Sequence, residues 1–297
     1  TQSRSSAASD VYKRQTDDLQ DSLPTIIGQS RLVRENEGEI MSTVDRQTLG
    51  KGMGLTWHEV SYAKINAQEV SEDTILDNPQ KISDTDFPLT PTVVGIETLI
   101  TDRVGATIVS HGNSKLGALA QNAMTRKKNQ DGLTAVDAFT TSLGSSGTLT
   151  FGFIMAASVR ITGNTTEPGP MPLHAQLHAF QIKDITDEFT APVGTYNITT
   201  GPTMDAFKNG FRGMVGNVSI HENNEISIVS NVAKGGVYSR MSLVLVQGRS
   251  PRAVAVRRED IGGGATIMYH YDEYIYGERS SGNWGFEIQT DATTPTS

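Results

Sequence analysis

The most chemistry-like spacing in the chain is HAQLH, which sets His174 and His178 four residues apart. On a helix that spacing holds a catalytic zinc when a glutamate follows the first histidine, but Ala175 stands there. In a strand the two imidazoles share a face, yet no third ligand follows at a recognisable spacing; Asp184 and Asp187 are nearby but generic. The pair therefore reads as polar strand positions, and a metal-dependent hydrolase is the weakest of three functional readings. The acid pairs Asp187/Glu188 and Asp272/Glu273 are adjacent in sequence, and in a strand adjacent side chains point to opposite faces. No serine lies in a G-x-S-x-G elbow. GKGMG at 50–54 and the glycines 262–264 lack the strand–loop–helix order of a phosphate cradle. With no cysteine, disulfides, thiolate metal sites and cysteine nucleophiles are excluded. No catalytic constellation survives, so the expectation is a protein that is not an enzyme and carries no cofactor.

The charges point elsewhere. Lys and Arg total 25 against 33 Asp and Glu, a formal net charge of -8, which argues against a surface built throughout to hold nucleic acid. Local basic strips remain: Arg126, Lys127 and Lys128 in one run, and Arg249, Arg252, Arg257 and Arg258 in another. They are suited to non-specific contact with DNA phosphates, or to the acidic patch Asp73, Asp77, Asp84 and Asp86 on a neighbouring subunit, or to plain solvation. Tyr269, Tyr271, Tyr274 and Tyr276 offer stacking faces, but Asp272 and Glu273 between them repel phosphates, which favours interface or sheet packing.

The elements that must position these groups follow from periodicity. Residues 1–22 are polar with no run to bury and read as a disordered or artefactual leader; 6–15 resembles a translated adapter sequence. A short helix is expected over 24–35 and a glycine-rich link over 49–54. The stretch 56–70 alternates without a cleanly apolar side, 73–91 is acidic and rich in turn formers, and 92–104 alternates again. Strand out, polar tip and strand back make a long hairpin, the kind of arm a monomer seldom extends without a receiver. The longest helical pattern is 114–143, with Leu116, Leu119, Ala120, Ala123 and Met124 on one face and Leu133, Val136, Phe139 and Leu143 on another. Its halves pack on different partners, or it breaks near Gly132. Beyond it, 153–159 is helix or strand, 173–180 a buried strand, and 182–189 a helix with an acidic outer face. A turn is expected at Gly235–Gly236, a strand or a hairpin through HENN at 218–228, and strands at 241–247, 253–258, 261–278 and 282–291. No apolar run is long enough for a membrane span.

GKGMGLTWHEVSYAKINAQEV (50–70), LTPTVVGIETLITDRV (89–104), KLGALAQNAMTRKKNQDGLTAVDAF (115–139), LHAFQIKDITDEF (177–189) and FKNGFRGMVGNVSIHENNEI (207–226), in that order, resemble the major capsid proteins of tailed bacteriophages. The resemblance covers 23–291. It implies an α+β tailed-phage capsid fold: an N-terminal arm (23–55), an extended β-hairpin loop (56–111), a peripheral domain (112–190) carrying a long spine helix, an axial domain (191–250), and return strands with a C-terminal tail (251–297). It further implies self-assembly into hexamers and pentamers of an icosahedral shell around double-stranded DNA, in a virion assembled in a bacterial cytoplasm. A separate scaffolding protein, a maturation protease and a portal are the implied partners, with no membrane. Inter-subunit candidates are Trp57, Tyr62, Lys64, Asp73, Asp77, Lys81, Asp84, Asp86, Arg126, Lys127, Lys128, Arg249, Arg252, Arg257 and Arg258. Some relatives cross-link a lysine to an asparagine; Lys64 and Lys81 are the loop lysines here. A phage tail or decoration protein is the alternative, and it would lack the helix at 114–143.

Overall fold

The computed structural model describes residues 39–72, 79–107, 112–144, 146–190, 213–261, 263–279 and 282–296. The expected leader, the helix at 24–35, Asp73, Asp77 and the first part of the 191–250 stretch lie outside the described residues. The chain divides into two units: the larger comprises Asn36–Ile96, Ala123–Val254 and Tyr269–Ser297, and the described part of the smaller lies within Glu97–Asn122 and Ala255–Met268.

In chain order the short helix α1 (Ile40–Thr43) leads into β1 (Asp45–Thr48), followed by the arm strands β2 (Trp57–Tyr62) and β3 (Asp84–Leu89) and by β4 (Thr92–Thr101). After α2 (Asp102–Thr107) comes the long helix α3 (Gly112–Asp137). Then follow β5 (Ser142–Leu143), α4 (Phe151–Thr162), β6 (Leu173–Leu177), α5 (Ala179–Thr190), β7 (Met214–Val215), β8 (Val218–Glu222), β9 (Ile228–Val229), β10 (Val232–Ser239), β11 (Leu243–Arg258), β12 (Ala265–Glu278) and β13 (Gly285–Asp291).

A seven-stranded mixed sheet in the order β5-β13-β10-β6-β8-β7, with β9 on β10, organises the larger unit. Its Leu173, Ala175, Leu177, Val218, Val237 and Ile288 meet Ile154, Ala157 and Ile161 of α4 and Ile182 and Ile185 of α5 in one buried cluster. The ambiguous apolar run at 153–159 is therefore helical. The amides at its entry are met from α5: Asp184 accepts from the Leu149 amide, just ahead of the N-cap, at 3.3 Å, and Glu188 from the Phe151 amide of the first turn at 2.6 Å. The acidic face of the second helix thus caps the first.

A second cluster joins Ile40 and Val44 to Leu133, Val136 and Phe139, with Tyr238, Leu243, Leu245 and Tyr274. The helix stripe Leu133, Val136 and Phe139 expected from the sequence is buried here, although α3 ends at Asp137 rather than 143. The helix does not break at Gly132. That position lacks a side chain because a Cβ there would sit 2.8 Å from Cγ2 of Ile40 and 3.1 Å from Tyr276. Nor do Gly235 and Gly236 form a turn. They lie inside β10, where a Cβ on Gly236 would collide with Val136, so the missing side chain is what seats the helix on the sheet.

The second sheet runs β1-β11-β12-β4, and β1 is parallel to β11 with Asp45 opposite Val244 and Thr48 opposite Gln247. The two strands expected at 241–247 and 253–258 are one, β11, passing through Pro251. In the smaller unit the Asp102 amide donates to Gly264 and the Thr98 hydroxyl to the Met268 carbonyl, at 2.9 and 3.3 Å.

Candidate functional site

The feature whose outer part lies outside every buried cluster is the arm, 56–89. β2 pairs antiparallel with β3, Trp57 opposite Leu89 through Tyr62 opposite Asp84. This corrects the sequence reading in two respects. The returning strand lies inside the acidic segment taken for a turn-rich tip, and 92–101 belongs to the other sheet as β4. Asp84, Asp86 and Pro88 concealed the strand, because they are poor strand formers; an isolated ribbon with exposed faces accepts them.

The root of the arm is fixed. Trp57, Phe87 and Leu89 pack with Val244, Val246 and Ile275. Gly277 of β12 admits them, since a Cβ there would lie 2.6 Å from Leu89. The buried Arg279 binds Asp45 Oδ2 at 2.5 Å and Glu59 Oε2 at 2.8 Å, donates to the Met241 carbonyl, and lies 5.9 Å from the Trp57 ring centre. Burial works to raise the Asp45 carboxyl, but hydrogen bonds from Gln47 and Arg279 outweigh it and hold it below the usual range. Arg279 carries no sequence signal: its partners are 220 and 234 positions away.

Beyond the root the arm is open. Val60, Tyr62, Ile65, Val70 and Ile82 all expose their apolar side chains, Tyr62 to 73% and Ile82 to 70%. Lys64, Lys81 and Asp84 are exposed beside them, and Asp86 accepts from His58 Nδ1 at 2.8 Å. A two-stranded ribbon without an apolar face of its own is marginal in water.

The basic residues do not form one free strip. Lys128, expected at a surface, is buried: its Nζ donates to Asp272 Oδ2 and Gln247 Oε1, each at 2.8 Å, and sits 4.6 Å from the Tyr274 ring centre. Its neighbour Asn129 is buried too, against Asn223 and Glu225. The run TRKKNQD is therefore not polar-faced all round. Two of its residues point inward because their partners come from β12, β11 and the turn after β8. Arg126 is exposed, and Lys127 pairs with Asp131 at 2.5 Å. Arg249 meets Glu273 at 3.2 Å, and Arg252 covers the Tyr271 ring at 5.4 Å. In the smaller unit Arg257 grips Asp102 through two nitrogens at 3.0 and 2.7 Å, and Arg258 binds Asp260 at 2.7 Å. Those contacts lower Asp102 and bring Asp260 to about 2. The tyrosines pack on one another, Tyr269 stacked on Tyr271 and Tyr274 edge-on to Tyr276.

The histidines of HAQLH are not brought together. His178 accepts from the Phe180 amide and packs on that ring, whereas His174 faces His221 of β8, whose other nitrogen meets Glu39. Among the described residues no group of three or more His, Asp or Glu side chains is placed to hold a metal ion, and no helix is long and apolar enough to cross a membrane.

No protein-family model and no curated protein matches the chain. Solved structures do. A capsid structure of the cyanophage P-SCSP1u superposes with a TM-score of 0.69 at 11% identity, over 90% of this chain and 92% of that one. The cyanophage Pam1 capsid gives 0.70 at 9% identity, over 90% and 96%. The capsid of Ralstonia phage GP4 gives 0.65 at 11% identity, over 91% and 96%. The mixed α+β fold of this chain is the fold of those capsid chains.

Proposed function

We propose that this chain is a tailed-phage major capsid protein: a structural subunit, not a catalyst, that assembles with copies of itself into an icosahedral shell. The observation that carries this reading is the likeness to phage capsid chains over nine-tenths of both partners. The arm supports it. Its root is fixed by Arg279 and an apolar cluster, while its outer half holds Tyr62, Ile65 and Ile82 in water. Such a segment has a high ordering cost alone and a low one when laid on a sister molecule. Each contact can be weak because closure of a shell repeats it many times.

In this reading α3 is the spine helix, 56–111 the extended loop, 112–190 the peripheral domain and 191–250 the axial domain. Hexamers and pentamers are the assembly units, double-stranded DNA the cargo, and the virion the destination, after assembly in a bacterial cytoplasm with a separate scaffolding protein, a protease and a portal. Tyr62, Lys64, Lys81 and Asp84 are the arm residues offered to a neighbour, and Arg126 and Arg252 the basic ones. Lys128 is withdrawn from that set by its burial. Electron microscopy and sedimentation of the expressed full chain test the reading: closed shells or capsomer rings are expected, and tubes or a solitary monomer at high concentration refute it.

A further inference from the structure

Alternation on β6 sends Leu173, Ala175 and Leu177 into the cluster with α4 and α5. His174 and Gln176 therefore point to the other face of the sheet, where Gln176 donates to Thr43 of α1 at 3.3 Å. β8 runs parallel beside β6, with Ser219 opposite His174 and His221 opposite Gln176, so the two histidines are diagonal neighbours on that face. His174 Nδ1 lies 3.2 Å from His221 Nε2, with the ring centres 5.3 Å apart and the planes at 50°. The other nitrogen of His221, Nδ1, lies 2.9 Å from Glu39 Oε2.

A carboxylate only accepts, so Glu39 holds the proton of neutral His221 on Nδ1 and leaves Nε2 with a lone pair turned to His174. That is the tautomer a metal-binding imidazole needs, and a carboxylate behind the ring is the usual outer partner that fixes it. The spacing fits the same chemistry. Two nitrogens each about 2.0–2.1 Å from a zinc ion stand about 3.3 Å apart at the tetrahedral angle, and about 2.9 Å apart at a right angle. The observed 3.2 Å is close to the tetrahedral value. To share the ion, His174 moves its proton from Nδ1 to Nε2, releasing none, and each ring turns by about 35° so that both lone pairs meet at one point. Burial first, then the charges of His221 and Arg240, bring His174 down to about 4, so protons do not compete for it near neutral pH. Arg240 opposes an incoming cation, and the Glu39 carboxylate offsets it. Among the described residues no third such side chain joins the pair. Water completes the tetrahedron where the His221 side chain is 20% exposed, and the site is looser than a three-ligand centre.

We propose that His174 and His221 form a two-imidazole chelate for zinc, with Glu39 as its outer carboxylate, and that the bound ion ties β6 to β8 and to the start of α1. All three residues come from one chain, so the inference stands apart from the capsid reading.

Calorimetry of the untagged, unassembled full chain with zinc chloride near neutral pH tests it. One ion per chain is expected at this pair, with a dissociation constant at or below about 100 µM. His221→Gln keeps a polar side chain but cannot chelate, and loses that ion. Glu39→Gln, at a side chain 64% exposed, keeps the fold and weakens uptake about tenfold. His58→Gln, at the exposed His58–Asp86 pair of the arm, leaves uptake unchanged. Weaker binding in wild type overturns the proposal, as do equal uptake in His221→Gln, loss in His58→Gln instead, or a Glu39→Gln isotherm superimposed on wild type. Should His221→Gln lose the amide protection of β10 that marks the fold, ring NMR of the wild-type chain decides. Zinc then shifts the ring nitrogens of His174 and His221, and shifts confined to other histidines refute the site.

Discussion

Replacing Lys128 by Met separates a buried ion pair from ordinary packing. The Lys128 and Asp272 side chains are 11% and 7% exposed, and the Nζ to Oδ2 distance is 2.8 Å. Met keeps most of the apolar stem, so the cavity term is small. What remains is the Asp272 carboxylate, still bonded by the Glu273 amide at 2.8 Å and by the Gln247 side chain, but without its cation. Breaking one side of a buried pair costs about 3–5 kcal/mol, and the lost cation–π contact with Tyr274 falls within that range. At about 1–3 kcal/mol per molar urea, 3 kcal/mol lowers the unfolding midpoint by at least about 1 M. The assay is urea unfolding of the unassembled chain. Lys128→Met/Asp272→Leu removes both charges and is expected to regain at least about 2 kcal/mol over the single variant. A single variant within about 1 kcal/mol of wild type, or a double variant less stable than Lys128→Met, refutes the claim that the pair is desolvated and mutually dependent.

Gly132→Ala poses a question of sign: helix propensity favours alanine by about 1 kcal/mol, whereas a Cβ only 2.8 Å from Ile40 costs about 1–3 kcal/mol. Net destabilisation is expected by thermal unfolding, reversing to a gain in the Ile40→Ala background; a stabilising Gly132→Ala with Ile40 present contradicts the packing. On the arm, Tyr62→Glu/Ile82→Glu places two charges on side chains 73% and 70% exposed. It should leave the unfolding temperature of the unassembled chain unchanged and abolish closed particles under the microscope, so particles in normal yield count against the arm as an interface.

How far the sequence foretold this depends on the range of the contacts involved. The stripe Leu133, Val136 and Phe139 was legible because an amphipathic helix declares its buried face every three or four residues. Leu173, Ala175 and Leu177 were legible by alternation, and all three are fully buried. Gly236 was misread as a turn, and at Gly132 the pattern left a break open beside an unbroken helix, because the reason for each glycine is a partner, Val136 or Ile40, about a hundred residues away. Lys128 was misread for the same cause: a lysine inside a polar run signals solvent until Asp272 is known to face it. β3 was missed because its acids and proline suit an exposed edge and not a core strand.

The arm inverts the usual relation between pattern and place. Core strands are recognisable because burial forces one face to be apolar; beyond the root held by Trp57, Phe87 and Leu89, the ribbon shows no such face, and its apolar residues are scattered over a surface that its own chain leaves in water. The sequence kept Val60, Tyr62, Ile65 and Ile82 there although none contributes to any of the three buried clusters. It also set a buried arginine with two carboxylate partners at the root, where a flexible loop would need none. A fixed root gives the outer half a defined direction, and that lowers the orientational cost of meeting a second molecule. The ribbon's lack of a self-sufficient face is therefore the same physical fact as its fitness for a neighbour: apolar area unburied within one chain is available to be buried between two.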